Sequence, residues 1–588
     1  MTNTVLELTS ILHRKGLADS IGERFESFKG QRRPQEELWK EARDYVFATD
    51  TRTTSNSALP WKNSTTIPKL CQIRDNLHAN YISAEFPNDK FFKWEAYTHN
   101  DSDKMKRDAI QAYMSNKIRE SNLRSTVSTL LYDYIDCGNC FADVIWVNDQ
   151  KVDPETNEII PGYIGPKAIR ISPLDHIFDP TAPEYDQSWK ITRSIKRYGE
   201  FLVEAKSNPQ TWLEDAVKHV QDKRSRITGM TKDDFDKASA YSIDGFGSLH
   251  EYYGSGFVEL LEFEGTIHDV DTGELLDDYI ITIIDRNTVI RKEPIPAWKR
   301  GGYKVHGGWR KRPDNLYAMG PLENLVGMQY RLDHLQNLAA DIRDLTAAPP
   351  LVFRGELQEA VKWAPFAEFH MEADGDVRPL FTGSDLGGVE REMASILQLM
   401  EEMAGAPRQA MGIRTPGEKT AHEVQTLENA AGRIFQEKIV QFEIEVLEPL
   451  LNNMLEMAVR NMSGVEIVRI LDDDLGVTEF MNITKDDITA KGKLRPIGAR
   501  HFAAQAQLVQ NLTGLANTQI WPKIEPHIGD KKMAQLFESV LQLDRFELYG
   551  DNAGVLDKID TQRIMNQGQE DLALEQDIPA DDDETPLV

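Results

Sequence analysis

A run of leucines between prolines constrains this chain more than any other feature. Leu322, Leu325, Leu332, Leu335, Leu338, Ile342 and Leu345 recur at three- and four-residue steps, between Pro321 and Pro349-Pro350. Charged residues lie between them. That period predicts one amphipathic helix from Pro321 to Ala347, about 27 residues and ~40 Å long at ~1.5 Å per residue. The stripe needs a partner along its whole length. Asp333, Asp341, Arg343 and Asp344 supply a polar surface beside it.

The downstream sequence predicts more helix. Leu351 to Ser384 reads as a compact segment with Trp363, Phe366 and Phe369. A second helix is expected from Asp385 to Ala404. Gly405 to Arg414 cannot continue it, with Gly405, Pro407 and Gly412 interrupting. A new helix starts at Thr415-Pro416-Gly417-Glu418. Thr415 suits the N-cap, Pro416 the first helical position and Glu418 the capping-box position. This helix runs to about Met462 and is expected to bend at Pro449.

The amino-terminal half is more varied. Helix is expected over residues 20–48, with Pro34 opening a run, over Pro68 to Ala84, and over residues 103–136. Phe91, Phe92 and Trp94 read as extended. Short strands and turns are expected over 141–193. Gly256 to Arg291 is the clearest β region: Phe257–Phe263 and Tyr279–Ile284 flank a turn at Asp271-Thr272-Gly273-Glu274. Leu494 to Leu548 reads as mostly helical again. The fold class is therefore α+β, mostly helical, in two to four packed units.

Composition limits the function classes. The chain has 588 residues and a net charge of -28, and eight acidic residues with no Lys or Arg lie between Glu570 and Val588. Such a chain should not grip nucleic acid tightly, because affinity comes from neutralising phosphates. Mean hydropathy is -0.47, and no stretch of 18 uninterrupted apolar residues predicts a membrane span. Met1-Thr2-Asn3-Thr4 lacks the start of a signal peptide, so cytoplasm is the expected compartment. Cys137 and Cys140 form a CxxC without two further ligands at zinc spacing. They are read as small core residues, with redox chemistry the alternative.

Chemical motifs are missing. There is no GxxxxGK[ST], HExxH or GxSxG. Asp269 and Asp271 start like a calcium loop, but the Gly offset and terminal Glu are wrong, so a plain turn is expected. No cofactor or metal is expected, and His334 is read as structural.

The order of these elements resembles the portal proteins (head-to-tail connectors) of tailed double-stranded DNA phages, especially short-tailed ones. The amino-terminal helix, polar loop and helix ending at Phe86-Pro87, with Phe91-Phe92-Lys93-Trp94 after it, is similar to that family. So are Gly412 followed by Gly417-Glu418-Lys419-Thr420-Ala421, and Leu494-Arg495-Pro496-Ile497-Gly498-Ala499-Arg500. The resemblance implies a wing over 1–319, a first stem helix over 320–348, a clip over 349–384 and a second stem helix over 385–404. It further implies a channel loop over 405–417, a long wing helix and return over 418–493, a helical crown over 494–560 and a tail over 561–588. It implies a ring of twelve subunits at one capsid vertex, without enzymatic activity, through which DNA is packaged and ejected. The implied partners are terminase, major capsid protein, scaffolding protein and tail adaptor, in the virion and, during assembly, in host cytoplasm.

Under that resemblance, Arg408, Arg414 and Lys419 are the residues expected to meet DNA phosphates as a weak collar, since many strong contacts would jam a moving duplex. The run Lys299, Arg300, Lys304, Arg310, Lys311 and Arg312 has no acidic residue and interleaves Tyr303 and Trp309. It is read as a basic surface for nucleic acid or an acidic partner. Trp363, Phe366 and Phe369 would meet motor or adaptor proteins, or fill a local core. Two rival readings remain. A metal-dependent DNA-processing enzyme would need carboxylates clustered on strands. A head–tail adaptor would be expected to be shorter.

Overall fold

The computed structural model describes residues 4–8, 16–48, 62–87, 91–97, 101–149, 151–152, 159–160, 162–207, 211–224, 257–269, 273–354, 376–380, 386–404, 436–472 and 477–497. The chain divides into two compact units: residues 1–468 with 482–498, and residues 469–481 with 499–588. The first unit holds everything below.

It opens with strand β1 (Val5–Leu8) and helix α1 (Leu17–Phe47). Pro34 lies inside α1 and does not open it. The turn around it is held from outside the helix. Arg32, buried, pairs with Glu36 at 2.5 Å and donates to the Leu174 carbonyl at 3.1 Å and to that of His176. These contacts offset the helical hydrogen bond that proline removes. Helix α2 (Lys69–Glu85) buries Leu70, Ile73, Leu77 and Tyr81, and β2 (Phe92–Ala96) follows as an extended segment. The single helix expected over 103–136 is two helices, α3 (Asp101–Glu120) and α4 (Leu123–Asp136). Asn122 breaks it at a φ of 54°, a left-handed conformation that asparagine tolerates better than most residues.

The strands make two main sheets. β3 (Asn139–Asn148), β4 (Ile164–Ile171), β5 (His176–Phe178) and β6 (Lys190–Arg197) come first. Helices α5 (Tyr198–Ser207) and α6 (Glu214–Arg224) follow. Then come β7 (Phe257–Asp269), β8 (Leu275–Ile284) and β9 (Thr288–Pro294), a meander where the β region was expected. Strands β9-β8-β7-β6-β5 form one sheet, and β1 joins β7 in parallel. Leu6 and Leu8 thereby close a core with Ile21, Phe25, Phe263 and Ile283. The second sheet has the order β10-β3-β4, where β10 is Val305–Gly308. β11 (Arg310–Arg312) and β12 (Asn315–Met319) form a short hairpin beside it. Cys140 is buried in β3, and all three cysteines are free.

Helix α7 (Val326–Ala347) follows a turn in which Leu322 and Leu325 are already buried. It starts five residues later than the expected Pro321, because Gly320 donates to the Glu323 carboxylate and Leu325 to the Leu322 carbonyl, closing tighter turns first. β13 (Leu351–Arg354) pairs antiparallel with β14 (Asp376–Pro379), and α8 (Gly387–Met403) returns against α7. Residues 436–442 are helical and continue through a π-turn, Glu443–Leu447, into α9 (Glu448–Asn461). The π-turn ends two residues before Pro449. A π-turn frees backbone bonds just where proline cannot donate one.

The chain then differs from expectation. Leu494, expected to begin a helical region, lies in β15 (Gly492–Pro496), antiparallel to β2 with Leu494 opposite Trp94. Leu494 is fully buried and Trp94 nearly so, and Pro496 sits at the strand end, where no ladder donor is needed. The remainder of that region lies outside the described residues. The architecture is a mixture of α and β in which helix outweighs strand, with no closed barrel among the described residues. No described helix is long and apolar enough to cross a membrane.

Candidate functional site

Helix α7 differs along its length. One edge carries a ladder of polar residues at four-residue steps over much of its length: Gln329, Asp333, Asn337 and Asp341. Each accepts from a backbone N–H of the strap at 62–70. Leu70 donates to Gln329 at 3.3 Å, Ile67 to Asp333 at 3.0 Å, Thr65 to Asn337 at 2.9 Å and Asn63 to Asp341 at 3.0 Å. Gln329 returns a bond to the Ile67 carbonyl at 2.6 Å. From Asn63 through Thr65 to Ile67 the geometry fits because two residues of extended chain span roughly 6.6–6.8 Å, and four helical residues about 6.0 Å; Leu70 donates from the first turn of α2. Asp333 was expected on a surface towards water. It is 2% exposed, and burial pushes its carboxyl up to about 6 against the bonds from Ile67 and Gln329. Asp341 and Asp344 are likewise spent on Asn63, whose side-chain amide donates to them at 2.6 and 3.0 Å.

Apolar side chains on the outer half of the hairpin are partly exposed. Leu332 and Leu335 are buried, but Leu338 is 36% and Leu345 42% exposed. Val352 and Leu380 near the β13–β14 ribbon, and Leu399 and Met403 on α8, are also exposed. Helix α8 itself buries only Met400 and Glu401. Arg331–Glu392 at 2.8 Å and Arg343–Glu390 at 2.9 Å tie the two helices together across solvent. His334 on α7 is pushed down by partial burial and by Arg331.

The basic run divides. Lys304 is no surface residue: it is 2% exposed, and its ammonium sits between Glu262 at 2.6 Å and Glu264 at 2.9 Å. It directly precedes β10, and its carboxylate partners lie on β7 of the other sheet. Lys299 pairs with Asp186, Arg300 with Asp277 at 2.7 Å, and Lys311 with Glu445. Arg310 lies over the Trp309 ring at 5.2 Å, and Arg312 donates to the Tyr317 carbonyl at 3.4 Å. Arg310, Lys311 and Arg312 are all exposed on β11. Much of the positive charge legible in the sequence is neutralised by acids far away in the chain.

One cluster of described residues has the donor set of a cation site. Asp143, Glu262 and Glu264 offer carboxylate oxygens within 4.8 Å of one another. The ammonium of Lys304 already meets two of these carboxylates, so the chain supplies its own cation. Burial opposes the charge on Lys304, but Glu262, Glu264 and Asp143 outweigh it and push the group up. Burial also pushes Asp143 up to about 7, against the pull of Lys304. These residues explain a lock between β7 and β3 and do not need a metal.

Arg408, Arg414 and Lys419, and Trp363, Phe366 and Phe369, lie outside the described residues. Sequence reading missed the ladder role of Gln329 and Asn337, although their four-residue spacing with Asp333 and Asp341 was visible. Comparison with known proteins adds no name: no protein-family model matches the chain, and no curated protein matches it.

Proposed function

We propose that this chain is the repeating subunit of a phage portal, a ring at one capsid vertex through which double-stranded DNA is packaged and ejected. The observation that carries the reading is the exposed outer half of the α7–α8 hairpin. Leu338, Leu345, Leu399 and Met403 each keep more than a third of their surface exposed, and a protein in water gains by burying such a patch against another molecule. Copies of the hairpin standing side by side around an axis would do so, one side of each packing on a different side of the next, the head-to-tail contact that closes a ring. The order of strap, stem helix, ribbon, second stem helix and long helix supports the same reading, as does a net charge that disfavours tight binding of DNA. Twelve copies, and docking of terminase, capsid, scaffolding and tail adaptor proteins, are what the portal resemblance adds. The channel loop at 405–417, with Arg408, Arg414 and Lys419, would then be the DNA-facing collar.

The test is assembly. Purified protein should form rings with a central hole in electron micrographs. Changing Leu338 and Leu345 together to Glu should leave a folded monomer that no longer closes rings. Wild-type protein that stays monomeric at every concentration, or a double variant that assembles normally, would sink the proposal.

A further inference from the structure

Both arms of the α7–α8 hairpin meet residues 67–70. Ile67 and Leu70 donate their backbone N–H groups to Asp333 at 3.0 Å and Gln329 at 3.3 Å on α7, and Gln329 returns a bond to the Ile67 carbonyl at 2.6 Å. Pro68 between them has no N–H to give. Lys69, the first residue of α2, serves the other arm. Its ammonium meets the Glu401 carboxylate on α8 at 2.5 Å and the Gln72 side chain, one turn along α2, at 3.0 Å. Both charged side chains are buried, 8% and 4% exposed. A buried pair is costly to halve, because the charge left behind has no compensation.

Elsewhere α8 is held less firmly. Within the helix only Met400 and Glu401 are buried, with Ala404 just past its end. Arg331–Glu392 and Arg343–Glu390 join α8 to α7 with all four side chains about half exposed, where such pairs contribute little. The last turn also separates two faces. At about 100° per residue, Met400, Glu401 and Ala404 fall on one side of the helix and Leu399 and Met403 on the other. The first three are buried and the last two exposed.

We propose that residues 67–70 are a clamp that seats both arms of the hairpin, and that the Lys69–Glu401 pair sets which face of α8 is turned outwards. The backbone of the clamp holds α7 and the lysine holds α8, so the two arms keep one spacing at this end. With the pair broken, α8 keeps its exposed pairs to α7 but loses its fixed rotation, and Leu399 and Met403 are no longer presented together. The clamp itself acts within one subunit; its consequence for assembly rests on the ring proposal.

Hydrogen exchange read by peptide mass spectrometry tests the clamp on the full chain, kept dilute enough to be monomeric. In Glu401→Gln, amides in the last two turns of α8 should exchange at least about tenfold faster. Those from Gln329 to Asn337 on α7 should keep the wild-type rate, because the strap holds α7 without the pair. Replacing both charges, in Lys69→Met with Glu401→Met, should return α8 to the wild-type rate. Unchanged exchange in α8 of Glu401→Gln, equal acceleration in both arms, or no recovery in the double variant would overturn the clamp. Should Glu401→Gln fail to fold, Lys69→Arg, which keeps the charge and changes its reach, is read by the same criteria. Micrographs of the same variants at assembling concentration separate the two proposals. Loss of rings in Glu401→Gln, with recovery in the double variant, would carry the clamp to assembly, and intact rings on a loosened α8 would overturn that link. A wild type without rings would sink the ring proposal alone, since the exchange result does not depend on assembly.

Discussion

The two halves of α7 carry the same leucine spacing and meet different fates. In the inner half, Leu332 is fully buried and Leu335 is 2% exposed, while the polar edge of both halves is bonded by a strap at Gln329, Asp333, Asn337 and Asp341. In the outer half, Leu338 and Leu345 keep more than a third of their surface in water. Periodicity says that a helix has an apolar face. It does not say whether the cover comes from the same chain or from another copy. The strap at 62–70 covers the polar edge as far as Asp341 and Asp344, but Leu338 and Leu345 stay partly exposed, which makes that edge the candidate for assembly.

Substitutions can break or sharpen this contrast. The largest expected effect is at Leu332: Leu332→Ala should destabilise the monomer by about 2–5 kcal/mol. Leu345→Ala should stay within ~0.5 kcal/mol. Denaturant melts of the two variants as monomers measure the difference, and equal losses would erase the distinction between halves. Next, Asn337→Ala should cost about 1–3 kcal/mol, because the Thr65 amide is left without its acceptor. Hydrogen exchange at Thr65 should rise with it, and an unchanged exchange rate would show that the ladder is not what holds the strap.

A smaller effect concerns pH. Asp333 has a folded value of about 6 against an ordinary 3.8, so it takes up a proton on folding. Stability should drop as pH rises between those two values and level off above the folded one. Asp333→Asn should flatten that part of the profile, and a profile of unchanged slope would contradict the assignment. The smallest effect is at the exposed pair: Arg343→Ala should change stability by no more than ~0.5 kcal/mol, since both partners are at least half exposed.

Much of the fold was legible because local patterns and tertiary burial agreed. The leucine stripe of α7, the aromatic-rich β2 and the meander β7–β9 lie where period and turn residues put them. The helix expected over 20–48 is found with Pro34 inside it, whereas Leu494, expected to begin a helical region, is in a strand; distant contacts act at both places. Proline normally opens helices, yet the buried Arg32–Glu36 pair and the carbonyls of Leu174 and His176 hold α1 through Pro34. Leu494 takes extended structure because β2 offers a free edge and Trp94 a contact. Neither partner is near in sequence.

The candidate site divides the same way. The bare leucines could be named from spacing, but their exposure could not. The basic run from Lys299 to Arg312 could be counted. Its charge balance could not, because Asp186, Glu262, Glu264, Asp277 and Glu445 arrive from other elements.

The sequence by itself determined where helices and strands can form and which side of each is apolar, since those depend on residues three or four positions apart, or two. Only the tertiary structure decided which apolar faces are covered, which lysine is buried among acids and which aspartates bind backbone. Those outcomes depend on desolvation and on partners tens to hundreds of residues away, and no local period encodes them.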